Sequence, residues 1–255
     1  LKASNGGTLN ILDVDGDGGA LTVSSSGENK SCAYAASGGH INITGNLTAS
    51  FTGGLSYQAI IALNATGAGS TITLIGSATG YYAGACAQYS AAITVVGNVN
   101  GNYDGAFAAY GGTLDITGDV TAVTRGLTVE YGGIAEIDGD ITGGTGIYTN
   151  NISGWAIPTA DVEGNVVSTS QYAIQVNNDG DVDVEGNITG CVEMIGTSSD
   201  SSIYITGDIH FNESSPAVYH GTGTLVITGD VYAPNGYALA SNGTMTLNGD
   251  ITALN

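Results

Sequence analysis

The sequence predicts an all-β fold, a single-stranded parallel β-helix of about 11 coils with a period near 21 residues. Two observations predict it: a short unit that recurs along the whole chain, and a strict two-residue alternation inside each unit. A third excludes the main competitors. No segment of helical period separates the units, as a doubly wound α/β fold requires, and the strands of a β-sandwich would not repeat in register at this interval.

The unit is cleanest at Thr113 to Val120 (TLDITGDV), Ile203 to Ile209 (IYITGDI) and Leu225 to Val231 (LVITGDV). Aligned on its glycine, it falls at Gly16, Gly45, Gly76, Gly97, Gly118, Gly139, Gly164, Gly186, Gly207, Gly229 and Gly249. Two residues before the glycine stand Val14, Ile43, Leu74, Val95, Ile116 and their equivalents; two residues after it stand Leu47, Val99, Val120, Ile141 and theirs. Successive side chains on a strand point to opposite faces, so both columns share an interior face. The glycines belong at corners where a Cβ would crowd the neighbouring coil or where φ must be positive. A second strand follows after a turn, as in Gly105 to Tyr110, Gly126 to Tyr131 and Ala173 to Asn178, and ends in glycine pairs such as Gly111 with Gly112. One such coil cannot fold alone, but stacked coils bury a continuous apolar interior.

Residues 1–255 read as one domain, a segment of a longer repetitive protein or a stackable subunit, because no capping element is apparent at either end. Longer intervals near the N-terminus (17–40 and 49–70) suggest padded coils, and Gly146 to Pro158 suggests a loop holding the only tryptophan, Trp155. Cys32, Cys86 and Cys191 match no zinc spacing and are expected as small buried residues. His40, His210 and His220 are expected at turns or on the surface. No apolar run is long enough to span a bilayer as a helix; the sequence starts at Leu1 without a basic and apolar leader, so any signal peptide is expected to have been removed or to lie outside it.

Acidic residues number 23 and basic ones 3, a net charge of −20. That balance disfavours nucleic acid and anionic lipid as partners. It also leaves little for chemistry that needs several cations on one substrate. The residues three before, one before and one after each glycine point outward. In four consecutive coils they read Asp115, Thr117, Asp119; Glu136, Asp138, Asp140; Asp161, Glu163, Asn165; and Asp183, Glu185, Asn187. The first copy repeats the pattern with Asp13, Asp15 and Asp17. Stacked carboxylates without cations between them repel, and clusters of hard oxygen donors suit Ca²⁺. Calcium on this face is therefore one expectation, and a solvated acidic surface is the other. The Asn or Asp that follows nearly every glycine is expected to hydrogen-bond along its own column or to the turn backbone.

Tyr89, Tyr110 and Tyr131 are spaced at 21 residues and should stack on successive coils. Such a ladder, with Trp155 nearby, is a candidate sugar-binding platform or a staple between coils. Catalysis is not expected: no nucleophile elbow, phosphate loop or metal-hydrolase spacing is present, and no Lys or Arg lies in the acidic strands to act as the base of a uronate lyase. Eight Asn-x-Ser/Thr sequons occur, and several are expected by chance in a chain this rich in Asn, Ser and Thr.

The GGTLDITGDVTA type of unit resembles the repetitive parallel β-helix regions of bacterial cell-surface proteins. These include adhesins and polysaccharide-binding β-helix proteins related in fold to pectate lyases. The resemblance implies an extracellular or surface-displayed module with calcium and carbohydrate as ligands. Alternatives are an end-to-end structural subunit of a filament or sheath, and a polysaccharide lyase or hydrolase. The lyase branch's cationic catalytic residues are missing here.

Overall fold

The computed structural model describes residues 1–12, 21–25, 31–51, 60–152, 154–195 and 200–253. It is a parallel β-solenoid. A typical coil has three strands, as in Val120–Ala122, Arg125–Glu130 and Ile134–Asp138. The last of these belongs to an eleven-stranded sheet running from Thr8–Ile11 to Thr244–Asn248. The other two rows fuse into one 20-stranded sheet through the long strands Val166–Asn177 and Ile188–Ile195. With parallel strands about 4.8 Å apart, eleven levels make a rod on the order of 50 Å long.

The two-residue alternation becomes an interior. Val95, Ile116, Ile137, Val162 and Val184 pair in register through successive strands, and all are buried. After the glycine corner, Val99, Val120 and Ile141 form a second buried column, in the other sheet. Each such side chain contributes roughly 1.5–3 kcal/mol on leaving water. The corner itself demands glycine: Gly118 has φ +142°, and a Cβ there would lie 2.6 Å from the carbonyl oxygen of Gly97 one coil earlier.

The structure corrects several expectations. In a typical coil the residue two after the glycine begins a separate short strand, giving three strands where two were expected; Val166–Asn177 and Ile188–Ile195 run the first two together. In the first coil Ile11 pairs with Ile43, and Asn10 stands opposite Asn42 with its Oδ1 accepting from Asn42 Nδ2 at 2.8 Å. Ile11 and Asn10 thus occupy the places assigned to Val14 and Asp13; Asp13, Asp15, Gly16 and Asp17 lie outside the described residues. The long intervals still contain the full strands Ser31–Ala36 and Ile61–Thr66, and Thr145–Asn150 is strand, so the Trp155 loop starts only after it. His220 is fully buried, not at the surface. It stands in register between the buried Met194 and Ser241 of the following strand, on the parity that points inward. All three cysteines are buried thiols, as expected.

Candidate functional site

Tyr89, Tyr110 and Tyr131 each follow the long strand of their coil, at the turn leading to the eleven-stranded sheet. Their φ values are +55°, +53° and +50°, in the left-handed region. A side chain with a Cβ enters that region at a cost of about 1–2 kcal/mol. Asn5, Ser37 and Asn178 hold the equivalent place in other coils with the same sign of φ, and Asn is the residue that tolerates it best. Three bulky aromatics at this corner therefore run against local preference, compensated in part by stacking on one another.

The tyrosine rings stack face to face. Centroids are 4.7 Å apart between Tyr89 and Tyr110, at 3°, and 4.9 Å between Tyr110 and Tyr131, at 28°. Both faces of Tyr110 are thus covered, and the middle of the ladder offers solvent its ring edges and hydroxyls. Trp155 meets Tyr110 at 5.1 Å with planes 68° apart. Since Tyr110 has only an edge to give, that edge points at the indole face. Trp155 itself is 46% exposed. The loop is seated by Ala156 on Gly132, where an added Cβ would lie 3.1 Å from that of Ala156. The structure thus brings the four aromatic residues singled out by the sequence into one cluster. The exposed aromatic surface shifts from the tyrosines to the tryptophan, whose plane is turned 68° from that of Tyr110.

The nine acidic residues of the four consecutive coils separate into two groups. Asp115, Glu136, Asp161 and Asp183 form one in-register column on the outer face of the eleven-stranded sheet; Asp138, Glu163 and Glu185 form a second beside it. Asp119 and Asp140 lie past the glycine, at the corner, where their Oδ1 atoms are already engaged. Asp119 accepts from the N–H of Asp140 at 3.0 Å, and Asp140 from the N–H of Asn165 at 2.8 Å. The same bond recurs from Asn98 through Asn165, Asn187, Asp208 and Asp230 to Asp250. This is the structural column expected after the glycines.

On the open face, Asp115, Glu136, Asp138, Asp161 and Glu163 border a shallow groove of about 220 Å³. Burial pushes the Asp183 carboxyl up, and the neighbouring Asp161 and Glu185 push it further. The oxygen donors suit Ca²⁺ in kind, but parallel strands hold them in parallel columns. Among the described residues no three His, Cys, Asp or Glu side chains converge closely enough to hold a metal ion.

No family model, curated protein or solved structure matches this chain. The likeness to surface adhesins and pectate-lyase-like proteins gains no relative to support it.

Sequence reasoning missed a second aromatic column at the other end of the same strands. Tyr82 stacks on Tyr103 at 5.0 Å, and the Arg125 guanidinium lies over Tyr103 at 5.5 Å and Tyr148 at 4.1 Å. The signal was present, since Tyr82 and Tyr103 are also 21 residues apart.

Proposed function

We propose that this chain is a non-enzymatic β-solenoid module, extracellular or displayed at a cell surface, that binds a polysaccharide or cell-surface glycan. The ligand's sugar rings stack on the outer face of Trp155, and its hydroxyls meet the phenol edge of the Tyr89–Tyr110–Tyr131 ladder. The observation that carries this reading is the aromatic cluster itself: three tyrosines held at left-handed corners and a partly exposed indole set against the middle one, Tyr110. Aromatic faces with polar tips are suited to sugars, which present C–H faces and hydroxyl rims. The net charge of −20 favours uncharged glycans over anionic ones. Calcium enters this reading as a loosely held counter-ion of the acidic columns, for which the repulsion at Asp183 is the support.

Trp155 is the only tryptophan, so its fluorescence reports the site directly. Titration with a panel of neutral polysaccharides should shift its emission with at least one of them. Trp155→Ala should weaken binding of that polysaccharide at least tenfold without lowering the melting temperature. A panel that leaves the emission unchanged, or binding that survives the substitution, removes the reading.

A second reading, an end-to-end structural subunit, rests on a hollow of about 540 Å³ beside the last described coils, lined by Tyr237, Leu239, Ile251 and Ala253 among others. Concentration-dependent light scattering that Ile251→Asp abolishes is its expected signature.

A further inference from the structure

On the outer face of the 20-stranded sheet, Ile61, Tyr82, Cys86, Gln88, Asp104 and Phe107 line a cleft of about 220 Å³. Among the described lining residues the one charged group is Asp104, which is 4% exposed and accepts a hydrogen bond from Thr128 Oγ1 at 2.6 Å. An ionised carboxylate so far from water needs compensation. Arg125, its neighbour in the next coil, supplies part of it. The guanidinium lies over the rings of Tyr103, at 5.5 Å, and Tyr148, at 4.1 Å, and does not itself line the cleft. The cleft lies on the other side of Asp104, among strands that precede it in the stack. There Asp104 meets two aromatic rings and an aliphatic wall, with no cation among the described lining residues.

We propose that this cleft binds a small organic cation, an ammonium carrying methyl or short alkyl groups, with Asp104 as counter-ion and Tyr82 and Phe107 as aromatic walls. Ring faces and edges beside a carboxylate are suited to alkylated ammonium, whose charge is spread and weakly hydrated. The volume admits a group of that size and excludes a polymer. The rod's net charge of −20 steers cations toward it. A neutral sugar would leave the buried charge of Asp104 in place, so it is the weaker fit. The site is independent of the glycan reading at Trp155.

Burial pushes the Asp104 carboxyl up to about 6, with the Thr128 bond and Arg125 acting to lower it. Tyr82, Cys86, Tyr103, Arg125 and Glu130 are the other titratable groups electrostatically tied into this neighbourhood. Of these, Asp104 is the group that changes charge between pH 5 and 8 to the greatest effect on a bound cation. Affinity should therefore fall about tenfold from pH 8 to pH 5, roughly one unit below the carboxyl's value without ligand.

Calorimetric titration of the full chain with tetramethylammonium and butylammonium, and with glucose as the neutral arm, tests this. Expected are saturable binding of a cation at pH 8, the tenfold loss at pH 5, and loss of at least tenfold in Asp104→Asn. Asp161→Asn on the opposite acidic face should change nothing. Tyr82→Leu should weaken binding several-fold, which keeps the test decisive if Asp104→Asn fails to fold. No cation binding at millimolar concentration overturns the proposal. So does equal binding by Asp104→Asn or Tyr82→Leu, or glucose occupying the site in a cation's place.

Discussion

The backbone N–H of Asp140 donates to the Asp119 side chain at 3.0 Å, across one full coil of the rod. A carboxylate that the sequence placed among calcium ligands is thereby tied into the backbone as a staple between adjacent corners. Asp119→Ala should lower stability by about 0.5–1.5 kcal/mol, the usual net worth of such a bond. Asp119→Asn, which keeps the acceptor, should melt within a degree or two of wild type, and thermal melts of the pair distinguish the staple from a mere surface charge.

The corner glycines are not interchangeable with the turn glycines. At Gly118 an added Cβ meets the Gly97 carbonyl at 2.6 Å, on a backbone with φ +142°. At Gly6, with φ +74°, it meets nothing within 4 Å. Gly6→Ala should cost about 1–2 kcal/mol, the left-handed penalty alone. Gly118→Ala adds a backbone clash to that and should cost clearly more, or prevent folding; denaturant titrations compare the two directly.

Much of this was legible beforehand for a simple reason. Ile116, Gly118 and Val120 repeat with fixed spacing, and a solenoid turns fixed spacing into fixed position. The first coil was misread because the DVDGDGG run around Gly16 imitates the unit by chance, whereas the chain pairs Ile11 with Ile43. That the Tyr89, Tyr110 and Tyr131 faces would be used up by stacking follows from a coil spacing near 4.8 Å, but the turn of Trp155 onto the Tyr110 edge depends on a loop with no repeat. Asp104 was invisible for the same reason. Its column holds Ala83 before it and Arg125 after it, so no pattern marks it.

Two buried groups should shape the acid response in opposite senses. Asp104 is raised from 3.8 to about 6 by burial, so the native state holds its proton more tightly than the unfolded chain. Its contribution therefore improves as pH falls through about 6 and levels off below 3.8. Above pH 6 the charged form costs roughly 3 kcal/mol. Asp104→Asn should thus raise the melting temperature at pH 8 and lose that advantage at pH 4, as paired thermal melts would show.

His220 acts the other way. Burial lowers its pKa from 6.5, and its Nε2 has no hydrogen-bond partner. Below pH 6.5 the unfolded imidazole takes up a proton that the native one resists, so the fold loses stability as pH falls. His220→Leu should flatten the stability profile between pH 6.5 and 5, measured by urea unfolding at several pH values.

On the acidic face, Asp183 carries repulsion from Asp161 and Glu185 on top of its burial. Calcium at millimolar concentration should raise the melting temperature relative to EDTA. Asp183→Asn should raise it without calcium and shrink the calcium increment; an EDTA melt that matches the calcium melt would count against any cation role there.

The most direct measurement is a set of distances along the rod. With the three buried cysteines replaced by alanine, spin labels would be placed in pairs at Thr73 with Asp161, Thr73 with Asp183 and Thr73 with Tyr204. These are equivalent outward positions of one column, each partner one coil further on. Stacked coils require the three electron–electron distances to rise in equal steps of about 4.8 Å. Distances that fail to rise together, or rise by unequal amounts, would contradict the solenoid.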